Sequence, residues 1–158
     1  MRLSMWAATP VLLLIVIAQA QWNERVTILP ASEAKATTKI YLPPGGKPIT
    51  GGWQVTPADI APVEARIGEI AHMTPRGWPS QIHIENPEAY FRQYIGVIQE
   101  GKKRIYVNGI CYGEEIGKPP SDWKTHFYWV IDGALGYWQV IYDPETQRFI
   151  GLQINPRA

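Results

Sequence analysis

Cysteine is all but missing from this chain: Cys111 is the one thiol among 158 residues. A single thiol cannot form an intramolecular disulfide, so stability must come from a packed core, and the length is ample for one. Cys111 sits in Gly109-Ile110-Cys111-Tyr112 and reads as a small buried hydrophobe. Metal-ligand spacing is missing too. The three histidines, His72, His83 and His126, form neither an HxxxH nor an HExxH pattern, so neither a metal nor a cofactor is expected. No GxSxG, Walker A or GxGxxG sequence occurs, and no catalytic residue is assigned.

Charge of one sign is also lacking. Without residues 1–20 the chain keeps 14 basic and 14 acidic side chains. Such a neutral domain lacks the positive field that nucleic-acid binding needs. The one basic cluster, Lys102-Lys103-Arg104, follows Glu100-Gly101 and reads as a solvated hairpin turn. There is a single long apolar run, and it lies at the start. Arg2 precedes Val11–Ala18, and Ala18-Gln19-Ala20 fits the small-x-small cleavage rule. Met5–Ala20 is shorter than the roughly 20 residues that span a bilayer. Residues 1–20 are therefore expected to be a signal peptide, with a mature chain from Gln21, located in the periplasm or secreted, and with no membrane span after cleavage.

Residues 21–55 are broken by Pro30, Pro43-Pro44, Gly45-Gly46, Pro48 and Gly51-Gly52. This Pro/Gly-rich arm excludes a long helix and leaves room for short strands at Arg25–Leu29 and Lys39–Leu42. Residues 56–158 form the expected domain. Ile60, Val63, Ile67 and Ile70 recur at helical spacing, with Asp59 as N-cap, Pro62 in the first turn and an end near His72-Met73. Strands are expected at Tyr94–Gln99, Arg104–Cys111, Thr125–Ile131, Tyr137–Tyr142 and Arg148–Ile154, and Glu114–Asp122 reads as a loop. One helix followed by about five strands in hairpin order is an α+β plan, the helix packed across an antiparallel sheet. The layout resembles the cystatins and the nuclear transport factor 2 superfamily, a likeness of element order that implies no function.

The last three strands carry aromatic residues on both faces. Phe127, Trp129 and Ile131 alternate with His126, Tyr128 and Val130, and Trp138, Val140 and Tyr142 with Tyr137, Gln139 and Ile141. Ile150, Leu152 and Ile154 make a plain core face. A half-solvated sheet shows a polar second face. Here that face is aromatic, so it is either covered, by the arm or by curvature, or open to a ligand. The candidate ligand-binding residues are Trp123, Tyr128, Trp129, Tyr137, Trp138 and Tyr142. Asp132 and Asp143 do not form a carboxylate pair: the strand between them holds them on the order of 20 Å apart, and both read as turn residues. Glu64, Arg92 and His126 are candidate polar groups of a pocket between helix and sheet, with a structural Glu64–Arg92 ion pair as the plainer alternative.

The run from Glu64 through Tyr90, Arg92, Tyr94, Trp123, Asp132-Gly133 and Tyr142-Asp143 to Asn155 resembles a group of small exported bacterial proteins of uncharacterised function. That group carries a Glu on its helix, a YxRYY-like segment, an isolated Trp, a DGG turn, a strand ending in YD and a terminal NGxA. The present chain departs from the pattern at Gln93, Ala134 and Pro156. The resemblance covers about residues 57–158. It implies export and a shared fold, and supplies no activity and no catalytic residue.

The expectation is an exported α+β protein that acts by binding rather than catalysis. Its partner would be a small ligand or an envelope protein held on the aromatic sheet face. A hydrolase-like enzyme using Glu64, Arg92 and His126 is the first alternative. A structural subunit of an envelope assembly, joined by strand addition, is the second.

Overall fold

The computed structural model describes residues 24–38, 44–110 and 121–156. The signal-like segment, the strand expected at Lys39–Leu42, Cys111 and most of the loop expected at Glu114–Asp122 lie outside the described residues. The fold is α+β. Its spine is a hairpin of β3 (Phe91–Gln99) and β4 (Lys102–Ile110), paired from Phe91↔Ile110 to Gln99↔Lys102. The turn between them holds Glu100 at φ 52° and Gly101 at φ 73°. Two successive left-handed residues match the twist of the flanking strands. β5 (Tyr137–Asp143) adds antiparallel to β4, and β6 (Arg148–Ile154) antiparallel to β5.

The other side of β3 is shared by two strands of the Pro/Gly-rich arm. β1 (Val26–Ile28) runs parallel to Arg92–Tyr94, and β2 (Ile49–Trp53) antiparallel to Gly96–Gln99. β1 falls within the strand expected at Arg25–Leu29, β2 is a strand not expected from the arm, and the sheet they complete has six strands, one pairing parallel. The short helix α1 (Ala34–Thr37) lies between β1 and β2 in the chain.

The apolar helical stripe is as expected, but the element carrying it is not one helix. α2 (Pro57–Glu64) starts at Thr56, not Asp59. Pro57 occupies the first helical position, where a fixed φ and a missing N–H cost nothing. Asp59 reaches back to accept from the Thr56 N–H at 2.8 Å and from its hydroxyl at 2.6 Å. Asp59 therefore belongs to the cap without being the cap residue. Pro62 sits inside the helix and cannot donate to the carbonyl of Ala58, an exposed residue. The α-helix ends at Glu64, and Ile67–His72 continues as a 3-10 turn. Ile60, Val63, Ile67 and Ile70 are all buried.

The sheet is covered on both faces. Against the α2 side lie Tyr94, Ile105, Val107, Trp138, Val140, Tyr142, Leu152 and Ile154. On the arm side Ile95, Val97, Tyr106 and Ile141 pack with Leu29, Ala34, Ile49 and Phe127. Two expectations are corrected here. Thr125–Ile131 is not a strand; it pairs with no neighbour and lies over the arm-side face. Ile150 does not share a face with Leu152 and Ile154, because the β5–β6 register shifts between Gln139 and Ile141. The extra residue of this bulge is accommodated at Gly151, φ 68°, where a Cβ would collide with the backbone of Gly45.

Gly109 sets the α2-side packing at one point: the Trp138 indole lies flat over it, and a Cβ there would collide with the ring. Gly109→Ala should therefore lower stability by about 1–3 kcal/mol, the usual range for overpacking. Urea unfolding measures this, and an unchanged midpoint would contradict the packing.

Candidate functional site

Two buried polar groups organise the molecule, one on each face of the sheet. On the α2 side, Arg92 of β3 meets Glu64 at the end of α2. Arg92 Nε donates to Glu64 Oε1 at 2.8 Å and Arg92 Nη2 to Glu64 Oε2 at 2.8 Å, with each side chain 6% exposed. Arg92 Nη1 donates to the carbonyls of Pro87, Glu88 and Tyr90 at 3.3, 2.8 and 2.6 Å. The Tyr94 hydroxyl also donates to Glu64 Oε1. Burial works to lower the Arg92 guanidinium, but Glu64 and Tyr94 together outweigh it and the group sits above its ordinary value. Burial, reinforced by the Glu64 charge, holds the Tyr94 hydroxyl well above its ordinary value.

On the arm side, a row of carboxamides runs across the strands. The backbone register places Gln93 of β3 beside Asn108 of β4, and Asn108 beside Gln139 of β5. All three are buried, as is Asn155, just past β6. Asn108 Nδ2 donates to Gln93 Oε1 at 2.9 Å; Gln139 Nε2 donates to Asn108 Oδ1 at 3.3 Å and to Asn155 Oδ1 at 3.1 Å.

Gln93, Asn108 and Asn155 also bond the backbone of residues 123–132, a strap laid over the sheet. Gln93 Nε2 donates to the carbonyls of Trp123 (2.5 Å) and His126 (2.7 Å), and Gln93 Oε1 accepts from the Tyr128 N–H (3.0 Å). Asn108 Nδ2 donates to the Tyr128 carbonyl at 2.7 Å. Asn155 Nδ2 donates to the carbonyls of Val130 (2.7 Å) and Asp132 (3.1 Å). At the β1 side, the Thr27 hydroxyl donates to the Lys124 carbonyl at 3.1 Å, and Glu33 accepts from the Phe127 N–H at 2.8 Å.

This arrangement decides the fate of the candidate residues. Trp123, Tyr137, Trp138 and Tyr142 are buried and serve the core. Trp123 packs edge-on against Phe91 at 5.2 Å, and Trp138 against Tyr90 at 5.6 Å. Tyr128 is half-buried, its ring 6.3 Å from that of Tyr137. Trp129 is 37% exposed. The structure brings Glu64 and Arg92 together but leaves His126 apart: its carbonyl is held by Gln93 on the opposite face, and its exposed ring contacts Thr125 Oγ1 at 3.0 Å. The three therefore line no common pocket. Among the described residues, no group of three His, Cys, Asp or Glu side chains could hold a metal ion, and no helix is long and apolar enough to cross a membrane.

Neither motif nor spacing in the sequence marks Gln93, Asn108, Gln139 and Asn155 as a group. The available signal is that Asn108 and Gln139 each interrupt an apolar run, Ile105–Val107 before Gly109-Ile110 and Tyr137-Trp138 before Val140–Tyr142.

Among the described residues, the large apolar side chains open to solvent are Trp129 at 37%, Ile131 at 74% and Leu135 at 36%, on the strap and the turn after it, and Ile150 at 39% on β6. The backbone of the first three is fixed. Asn155 holds the carbonyls on either side of Ile131, the Tyr90 hydroxyl donates to the Leu135 carbonyl at 2.8 Å, and the Ala134 N–H donates to the Pro156 carbonyl at 3.2 Å. The class defined by fold and site is an α+β protein with a doubly covered sheet and an apolar strap facing outward. No family model matches the chain, and no curated protein or solved structure matches it.

Arg92→Met would leave the Glu64 carboxylate buried beside the Tyr94 hydroxyl alone. A loss of about 3–5 kcal/mol is expected, the usual cost of breaking a buried pair from one side. Replacing both partners, Glu64→Leu with Arg92→Met, should cost much less than the sum of the two single changes. A double-mutant cycle by urea unfolding measures the difference, and strictly additive losses would show that the two do not act as a pair.

Proposed function

We propose that this chain is an exported interaction protein that acts by binding, and that its contact surface is the outer side of the strap at Trp129, Ile131 and Leu135, with Tyr128 at its margin. The observation that carries this reading is the display of three large apolar side chains on a backbone already fixed by Asn155 and Tyr90. A preordered apolar surface loses little conformational entropy on binding, and exposed apolar clusters mark contact sites. The partner is a small apolar ligand or an apolar surface of another envelope protein. Export of a mature chain from Gln21 rests on the signal-like residues 1–20 and on the likeness to small exported bacterial proteins.

The alternatives draw less support. A hydrolase-like site would need a free base near Glu64, yet both Glu64 oxygens are engaged by Arg92 and His126 lies on the other face. Strand addition would need an open sheet edge. On the β6 side the Leu152 carbonyl already accepts from the Arg76 N–H at 2.9 Å and Gly45 packs against Gly151; on the other side β1 has only three residues and β2 is bulged.

A photo-crosslinking amino acid placed singly at 129, 131 or 135 in the exporting cell should give the same adduct from all three positions. Placed at Glu145, on the exposed β5–β6 turn, it should give none. Equal adducts from Glu145, or none from any strap position, would overturn the proposal.

A further inference from the structure

We infer that the arm-side face of the sheet is a cradle for a polypeptide segment, and that residues 123–132 are its resident occupant. The inference concerns the inner side of the strap and stands independently of what its outer side binds.

The groups that fasten the strap from below are directed at main chain. Thr27, Gln93, Asn108 and Asn155 donate to six backbone carbonyls, and Glu33 and Gln93 accept from the N–H groups of Phe127 and Tyr128. A side chain that bonds a peptide group does not register which residue supplies it. Hydrogen bonds to main chain then provide affinity and side-chain pockets provide selectivity, as in strand recognition at a sheet edge. Here the same division is built on a sheet face.

The anchoring side chains are Phe127, buried and edge-on to Tyr106 at 5.7 Å, and Trp123, buried against Phe91 where the strap begins. Most of the other strap residues, Lys124, Thr125, His126, Trp129 and Ile131, are exposed. The strap forms no ladder with any strand, so leaving the face would break no sheet pairing. The Tyr106 hydroxyl, fully buried in the floor beneath Phe127, has no hydrogen-bond partner among the described residues. The occupant in place thus leaves one polar group of the floor unused. The partner this fits is a polypeptide segment with an aromatic residue at the place of Phe127 and unobstructed peptide groups on both sides of it.

The test uses a fluorescent peptide of residues 121–133 and the full mature chain. Phe127→Ala and Tyr128→Pro weaken the resident strap and leave every cradle side chain in place. The peptide should bind both variants saturably and at least tenfold more tightly than the wild type, whose own strap competes. A peptide methylated on the backbone nitrogens of Phe127 and Tyr128 should lose at least tenfold in affinity for the same variants. Absence of saturable binding to both variants, equal affinity for wild type and variants, or unchanged binding of the methylated peptide would each overturn the inference. So would unfolding of both variants, because the strap would then be inseparable from the fold.

Discussion

Carboxamides inside a sheet are costly unless both ends of each are bonded, and this protein places Gln93, Asn108, Gln139 and Asn155 side by side on one face. A buried amide without partners loses several kcal/mol of hydration, on the order of 1–3 kcal/mol by protein mutational measures. The row satisfies itself only in part, through the bonds from Asn108 to Gln93 and from Gln139 to Asn108 and Asn155. Gln93, Asn108 and Asn155 have further donors and acceptors, and peptide groups of the strap meet them. The same bonds give strap carbonyls partners that a strand neighbour would otherwise provide. Coverage of the arm-side face, placement of Phe127 in its core and outward presentation of Trp129 and Ile131 all follow from this one exchange.

The opposite face is fixed by a comparable device with a different chemistry. Arg92 binds both oxygens of Glu64 and three carbonyls of the 87–90 turn, so helix, turn and sheet meet at a single guanidinium. Planar, forked donors suit this task, which a lysine could not perform. With both faces occupied and both edges blunted, little of the aromatic content is left for recognition. Trp123, Tyr137, Trp138 and Tyr142 are buried, and among the described residues the exposed large apolar side chains are Trp129, Ile131 and Leu135 on the strap and following turn, with Ile150 on β6.

Much of the architecture was legible in the chain. The α+β class, the Ile60–Ile70 stripe, the β3–β4 hairpin and the strands around Tyr137–Tyr142 and Arg148–Ile154 follow from periodicity and turn residues. The misreadings have local causes. Thr125–Ile131 has the alternation and β-branched or aromatic content of a strand, but its peptide groups are claimed by side chains, which a hydropathy pattern does not reveal. Asp59 looks like an N-cap, yet Pro57 moves the cap to Thr56. Ile150 leaves the common face because one glycine, Gly151, adopts a left-handed φ. The site was less legible than the fold. Gln93, Asn108 and Gln139 are far apart in sequence, and only the register of three strands aligns them. Conversely, Glu64 and Arg92 are conspicuous charges in apolar surroundings, and the structure does bring them together.

The dependence of the arm-side face on its amides is open to one direct measurement: native-state hydrogen exchange of the wild type and Gln93→Leu. Gln93 holds three strap peptide groups, at Trp123, His126 and Tyr128. Its loss should strip protection from the Tyr128 amide, which donates to Gln93, while the amides of central β4 and β5, such as Val107 and Val140, stay protected. Unchanged protection at Tyr128, or a uniform loss across the sheet, would contradict the account.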